Sequence, residues 1–301
     1  MSRRKFKKPS ISTVFIIGII AAIVYAIIVT INEGDYPGYM ELIQGATAPA
    51  PVVATPFVPT ITPPFVNGVY VTDVEDTQYL KLVNRDFAVT TSVCHSRLTA
   101  AWPTMAAASA YVMLHETAFY ALWELFSHVE GTGLGGMFIA SGYRNYDEQT
   151  RLYENALDQA YVSPPGHSEH HLGLAVDILR SGGLSMRDSE EARWLRENAP
   201  RFGLILRYPE HKQDITGVPY EPWHFRYVGR VHAWYMEKQD FVLEEYIVYL
   251  RNNGVLRTEF DGKTYYIFYQ LPQNDMIFVP EDLNYLISSA NTGGFIVTAW
   301  R

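Results

Sequence analysis

The pattern of apolar and polar positions changes rhythm three times along the chain. At the start, no charged residue occurs between Lys8 and Glu33, and residues 14–31, VFIIGIIAAIVYAIIVTI, are almost purely apolar. A helix that crosses a bilayer needs about 20 such residues, so residues 12–32 are expected to form a transmembrane segment. A secretory signal peptide carries a shorter apolar core, about 7–15 residues, followed by a small-residue cleavage site. This run is longer and no clear site follows it, which favours an uncleaved anchor. Residues 33–68 then turn to Pro, Ala and Thr, and ATAPAPVVATPFVPTITPPF alone holds six of the chain's 17 prolines. Proline removes backbone donors and favours extended polyproline II, so this stretch reads as a semi-stiff spacer.

From residue 69 the pattern becomes that of a folded domain. YLKLVNRDFAV, from Tyr79, reads as a short first strand. In residues 103–128, PTMAAASAYVMLHETAFYALWELFSH, apolar positions recur at steps of three and four, which predicts a long buried helix or a helix pair. Gly131, Gly133, Gly135 and Gly136 end it. MFIASGY is a predicted strand. Asn145 with Glu148 three residues on has the form of a capping box for a helix running to about Ala160. GLAVDI, FGLILRY and EPWHFRYV read as strands, and SEEARWLRENA as a helix.

Past residue 240 the rhythm shifts again. LEEYIVYLRNNG is a predicted helix with a glycine stop, and RTEFDGKTYYIFY is a hairpin around Asp261-Gly262, a pair suited to a tight primed turn. MIFV and GFIVTAW add strands. Strands and helices alternate irregularly, so the fold class is α+β, with a catalytic-sized domain at 69–239 and a small accessory α/β subdomain at 240–301.

Composition sharpens this picture. With 301 residues, 48% of them hydrophobic and 19% charged, the chain can bury one sizeable core plus an appendage. Its formal net charge is −8, yet Arg3, Arg4, Lys5, Lys7 and Lys8 all lie in the first eight residues, so the rest is more acidic still. An acidic body excludes the basic face that a nucleic-acid partner requires. Basic residues ahead of the apolar run place residues 1–11 in the cytoplasm and everything after the span outside. The single cysteine, Cys94, permits no internal disulfide. An exporting cell that does not rely on disulfides, such as a Gram-positive bacterium, suits that composition.

The candidate chemistry lies in two segments. PPGHSEHHLGLAVDI packs His167, His170 and His171 into five positions ahead of a strand that carries Asp177. A carboxylate inside an apolar strand is costly unless it is paired or bound to a metal. EPWHFRYVG adds Glu221 and His224, with His224 and Arg226 on one face of their strand and Trp223, Phe225 and Tyr227 on the other. A catalytic zinc takes three protein ligands and keeps a fourth position for water. His170, Asp177 and His224 meet that requirement, and Glu221 remains as a carboxylate to accept a proton from the water. Taken singly, each residue is also compatible with an ordinary structural role.

The forms S-x-H-x-x-G-x-A-x-D in SEHHLGLAVD and E-x-x-H in EPWH, with SGYRNYDEQ upstream, resemble the VanY-type D-alanyl-D-alanine carboxypeptidases. These are zinc peptidases grouped with the lysostaphin-like enzymes and the hedgehog fold. The resemblance covers about residues 79–229 and implies a domain with a central antiparallel sheet and one zinc per chain on His170, Asp177 and His224. It implies Glu221 as catalytic base and Arg144 as a contact for substrate or developing oxyanion. Gln149 and Ser168 would line the pocket for the terminal D-residue, with Tyr208 as a further pocket residue. Arg144 could instead pair with Asp147, and Ser168 could simply turn the chain. The expected substrate is a peptidoglycan stem peptide ending in D-alanine, cut at the D-Ala–D-Ala or the L,D bond, by a membrane-anchored enzyme facing outward. A murein endopeptidase and a non-catalytic zinc-containing wall-binding module are the alternatives.

Overall fold

The structure, a computed structural model, describes residues 67–89 and 97–301, all within one compact unit. The expected span at 12–32, nearly all of the spacer at 33–68, and Cys94 lie outside the described residues. Among the described residues no helix is long and apolar enough to cross a membrane.

In chain order, β1 (Asn67–Tyr70) precedes a short hairpin of β2 (Leu98–Ala100) and β3 (Met113–His115), which leads straight into α1 (Glu116–Val129). Then follow β4 (Met137–Ser141), α2 (Tyr146–Glu154), β5 (Ala175–Arg180) and α3 (Glu190–Asn198). Next come β6 (Leu204–Leu206), the one-turn α4 (Gln213–Thr216) and β7 (His224–Tyr227). The last part holds α5 (Arg230–Gln239) and α6 (Leu243–Asn253). It ends with β8 (Val255–Phe260), β9 (Lys263–Gln270), β10 (Met276–Val279), β11 (Asn284–Ser289) and β12 (Phe295–Trp300). Two four-stranded antiparallel sheets result, in the orders β4-β5-β7-β6 and β11-β12-β9-β8, while β1 pairs with β10. The mixed α and β content and the antiparallel central sheet match the α+β expectation.

Local chemistry explains the well-formed elements. In α2, Asn145 Oδ1 accepts from the Glu148 amide at 2.9 Å and Glu148 Oε2 accepts from the Asn145 amide at 2.9 Å, the reciprocal capping box its spacing predicts. In α1, Ala118, Phe119, Leu122, Leu125 and Val129 share the buried face. The β8–β9 turn places both Asp261 and Gly262 at positive φ, 49° and 71°, as a type I′ hairpin requires.

Three expectations need correction. The helix predicted over 103–128 exists only from Glu116. Upstream, the Ala-rich backbone pairs across to β4: the Ala108 amide donates to Ile139 O (2.8 Å) and the Ile139 amide to Ala106 O (2.9 Å). Met113–His115 is drawn into a hairpin with Leu98–Ala100, so tertiary pairing overrides alanine's helix preference. The strand expected at 79–89 does not form, because Arg226 Nη2 donates to the carbonyls of Gln78, Tyr79 and Lys81, each at 3.1 Å. Those acceptors serve a buried guanidinium instead of a neighbouring strand. Finally, α2 stops at Glu154, and the chain up to Val162 contains only a 3₁₀ turn, Gln159–Tyr161, capped by Asp158.

One core lies between the central sheet, α1 and α3, and includes Leu114, Leu122, Leu125, Ile139, Val176, Leu195 and Phe225. A second joins α5 and α6 to Ile267, Tyr269 and Ile296 of the second sheet, and to Leu80, Leu82, Ile205 and Val228. Residues 240–301 thus share a core with the part that precedes them. That core contains a buried polar bridge. His232 Nδ1 meets Tyr246 Oη at 2.9 Å and its Nε2 meets Thr298 Oγ1 at 2.9 Å.

Burial pushes His232 down to about 3 from an ordinary value of 6.5. The unfolded chain therefore binds a proton that the folded one refuses between about pH 6.5 and pH 3, and stability falls as pH drops through that window. His232→Gln should flatten this acid limb, since one pKa unit corresponds to about 1.4 kcal/mol. Urea midpoints measured from pH 7 to pH 4 on both proteins check it; parallel curves would refute it.

Candidate metal centre

The site begins with strand register. Asp177 of β5 is the direct partner of His224 of β7, and Ala175 is the partner of Arg226, so all four side chains project from the same face. On its other side β5 pairs with β4, where a bulge between Ile139 and Ser141 shifts the register and turns the chain toward Gly142.

His170 arrives on a 3₁₀ turn, Glu169–Leu172. Ser168 Oγ caps this turn by accepting the His170 amide at 3.4 Å, and Gly173 ends it at φ 67°. A Cβ at Gly173 would lie 3.0 Å from Leu98 Cδ2 and 3.1 Å from the His115 amide nitrogen. Only glycine combines that backbone conformation with that space. His170 Nδ1 donates to Gly142 O at 2.6 Å, which aims Nε2 at Asp177. Gly142 is required for this approach, since a Cβ there would sit 2.3 Å from Met113 O.

Three ligand atoms converge. His170 Nε2 is 3.4 Å from Asp177 Oδ2, His224 Nδ1 is 3.2 Å from Asp177 Oδ1, and one ligand atom from each of the three residues lies within 4.8 Å of the others. Two donors bound to zinc at about 2.0–2.1 Å in tetrahedral geometry stand about 3.3–3.4 Å apart, so the two His–Asp separations suit that ion. All three residues are buried, and His170 Nε2 and Asp177 Oδ1 have no hydrogen-bond partner. Buried polar atoms left in that state are expected to be satisfied by something else, and a cation suits this set. Glu221 stands just outside it, with Oε2 3.5 Å from His224 Nδ1 and its amide donating to Tyr208 O at 3.1 Å.

The remaining predicted residues surround these four. Arg144 Nη2 lies 3.8 Å from Asp177 Oδ2, and its Nη1 donates to Gln149 Oε1 at 2.9 Å. The spacing alternative, Asp147, is not its partner in these contacts. Gln149 is buried and passes the connection on, its Nε2 donating to Ser163 O at 2.7 Å. Tyr208 is buried with its ring 4.8 Å from the His224 ring. Ser168, also buried, caps the turn that carries His170. The two other histidines of the opening cluster are structural. His171 accepts the Gly166 amide at Nε2 (3.0 Å) and donates from Nδ1 to Arg144 O (2.8 Å), and His167 Nδ1 meets Asn84 O at 2.8 Å.

Sequence reasoning missed Glu169, Arg207 and Arg226, which sit fully buried behind His224. A signal was present: two arginines inside apolar strands, LILRY and HFRYV, need a buried carboxylate.

The electrostatics follow from burial and neighbours. Burial alone would raise Asp177, yet His170 and His224 hold its carboxyl far below the usual carboxylate range. Burial, with Arg144 next to it, pushes His170 down to about 4. Burial would also lower His224, but Asp177 and Glu169 hold it up at about 9. Glu221 is pushed up to about 8 by burial, against the opposing charge of His224 and with Asp177 adding to the rise.

Two histidines and a carboxylate that converge beside a second, displaced acid could hold one metal ion. A family model described as VanY, D-alanyl-D-alanine carboxypeptidase, matches residues 112–230, a span that includes all four of these residues. The chain is 44% identical over 169 residues to a D-alanyl-D-alanine carboxypeptidase of Enterococcus faecium, covering 56% of this chain and 55% of that one. It is 42% identical over 141 residues to the bifunctional D-Ala-D-Ala dipeptidase and D-Ala-D-Ala carboxypeptidase VanXYC of Enterococcus gallinarum, covering 40% of this chain and 72% of that one. The crystal structure of the vancomycin-resistance D,D-dipeptidase VanXYg, in complex with a D-Ala-D-Ala phosphinate analogue, superposes with a TM-score of 0.66 at 29% identity. That match covers 74% of this chain and 94% of the other. The chain belongs to the VanY D-alanyl-D-alanine carboxypeptidase family, although it spans only about half the length of the first of these relatives.

Among the three ligands only His224 must lose a proton near neutral pH, because Asp177 is already ionised and His170 already neutral. Metal binding should therefore release protons at pH 7, and apparent zinc affinity should fall as pH drops below 9. Chelator-competition titrations between pH 6 and pH 9 read this slope, and a flat profile would contradict it.

Proposed function

We propose that the chain is a zinc carboxypeptidase that removes the terminal D-alanine from peptidoglycan stem peptides. The observation that carries this reading is the convergence of His170, Asp177 and His224 on one point, with Glu221 and Arg144 at its edge. The D-Ala-D-Ala chemistry of the relatives supports the choice of substrate.

Zinc held by these three residues would supply Lewis acidity and would lower the pKa of a bound water to about 7. Glu221, beside His224, is placed to take the proton of such a water and to pass it to the leaving amine of D-alanine. The Arg144 guanidinium is steadied by Gln149. It offers a fixed cation to the carbonyl oxygen as negative charge develops there, or to the terminal carboxylate of the substrate. Burial of the ligands excludes bulk water, which strengthens each of these contacts.

Glu221→Gln should keep one zinc per chain and lose activity by about 10²–10⁴-fold. Release of D-alanine from a muramyl pentapeptide and a muramyl tetrapeptide, with and without chelator, tests the reading and separates the D,D from the L,D bond. Near wild-type turnover by the variant would assign the base elsewhere. No release from either peptide by the zinc-loaded protein would favour an endopeptidase or a wall-binding module.

The same proposal places the enzyme at the outer face of a cell membrane. Residues 12–32 supply the span and the basic residues before them the orientation, while the Pro-rich stretch holds the domain away from the bilayer. Protease added to intact protoplasts should release the catalytic domain by cutting between residues 33 and 68. A protected domain would reverse the topology.

A further inference from the structure

His224 has two sides, and only one faces the metal point. Its Nδ1 looks toward Asp177 and Glu221, while its Nε2 looks away and lies 3.6 Å from Glu169 Oε2. Both of these outward atoms, His224 Nε2 and Glu169 Oε2, are buried and lack a hydrogen-bond partner. An imidazole that gives its Nδ1 lone pair to a metal carries its hydrogen on Nε2, so that buried N–H requires an acceptor.

Glu169 is not free to drift. Its other oxygen, Oε1, accepts from Arg207 Nε at 2.8 Å and lies 2.9 Å from Arg226 Nη1 in an ion pair. Arg207 is held in turn by Glu244 of α6 through two contacts, Nη1 to Oε2 at 2.9 Å and Nη2 to Oε1 at 2.7 Å. Glu244 Oε1 also accepts from Asn84 Nδ2 at 3.1 Å. Arg226 is fixed by the three carbonyls of residues 78, 79 and 81. Glu169, Arg207 and Arg226 are fully buried, and the Glu244 side chain is only 14% exposed.

We infer that Glu169 is a positioning residue for the metal centre, its Oε2 accepting from His224 Nε2–H when a metal is bound, and that α6 governs this contact through the Glu244–Arg207 pair. The inference rests on the zinc reading above and goes beyond it, since it makes the C-terminal segment part of the metal site. The two histidine ligands are backed differently: His170 by a neutral carbonyl, Gly142 O, and His224 by a carboxylate. Carboxylate backing raises the donor strength of an imidazole and fixes its ring, and loss of such a partner typically costs 10–100-fold in metal affinity or activity.

The test uses the full-length chain, with zinc affinity measured by chelator competition and the visible spectrum of the cobalt-substituted protein as a second readout. Glu169→Gln should bind zinc 10–100-fold more weakly, alter the cobalt bands, and lower kcat with KM nearly unchanged. Glu244→Gln, at the edge of the network, should shift affinity and spectrum in the same direction by a smaller factor. His232→Gln serves as a control for general loss of stability and should leave zinc affinity and cobalt bands unchanged. Wild-type affinity and spectrum in Glu169→Gln would overturn the inference. Should that variant fail to fold, wild-type values in Glu244→Gln would overturn it equally. If the wild-type chain itself binds no zinc, the proposed function falls and this inference falls with it. Zinc binding by the wild type with unaffected variants removes the inference alone.

Discussion

Asp177 lies in the middle of a buried antiparallel sheet, directly opposite His224, and much of the domain answers to that placement. An ionised carboxylate without a counter-charge is expensive in such a setting. The structure surrounds it with His170, His224 and Arg144. The constraint then spreads outward. His170 can reach Asp177 only from a tight turn that glycine closes, and only if a second glycine lets a carbonyl approach its far nitrogen. Each of those requirements is met by a residue of the segments SGYR and SEHHLGLAVD.

A second layer of charge lies behind the first. Arg226 follows His224 by two positions and so projects from the same face, into a region where a lone guanidinium would be as costly as the carboxylate it sits near. Glu169 satisfies it together with Arg207, and Glu244 completes the set from α6. The same Arg226 takes the carbonyls of residues 78, 79 and 81, which ties the start of the folded chain to the centre of the sheet. Groups that read as unrelated along the chain thereby form one connected network of buried charges.

Much of this was legible from sequence because some physical rules are local. The capping box at Asn145 and Glu148, the primed turn at Asp261-Gly262, and the strand character of GLAVDI and HFRYV follow from short-range hydrogen bonding and alternation, and they form as read. The ligand set was legible for a different reason. Metal coordination restricts residue types, and together with the family resemblance it singles out His170, Asp177, His224 and Glu221 as candidates before their distances are known. The readings that failed depend on distant partners. Residues 103–115 have the composition of a helix but find better use pairing with β4 and β2, and the backbone at 78–81 gives its carbonyls to an arginine almost 150 residues away.

The sequence by itself therefore determined the metal-binding chemistry, the α+β class and the local elements, because those depend on residue type and on periodicity within a few positions. Only the tertiary structure decided what stands behind the ligands. Glu169, Arg207 and Glu244 come from three separate segments, and although the apolar strand around Arg207 signals burial, no local rule says which carboxylates meet it. Their meaning comes from burial. Once removed from water, each ion must find its counter-ion wherever the packed chain brings one, and α6 brings Glu244 from a region whose sequence shows no sign of belonging to the site.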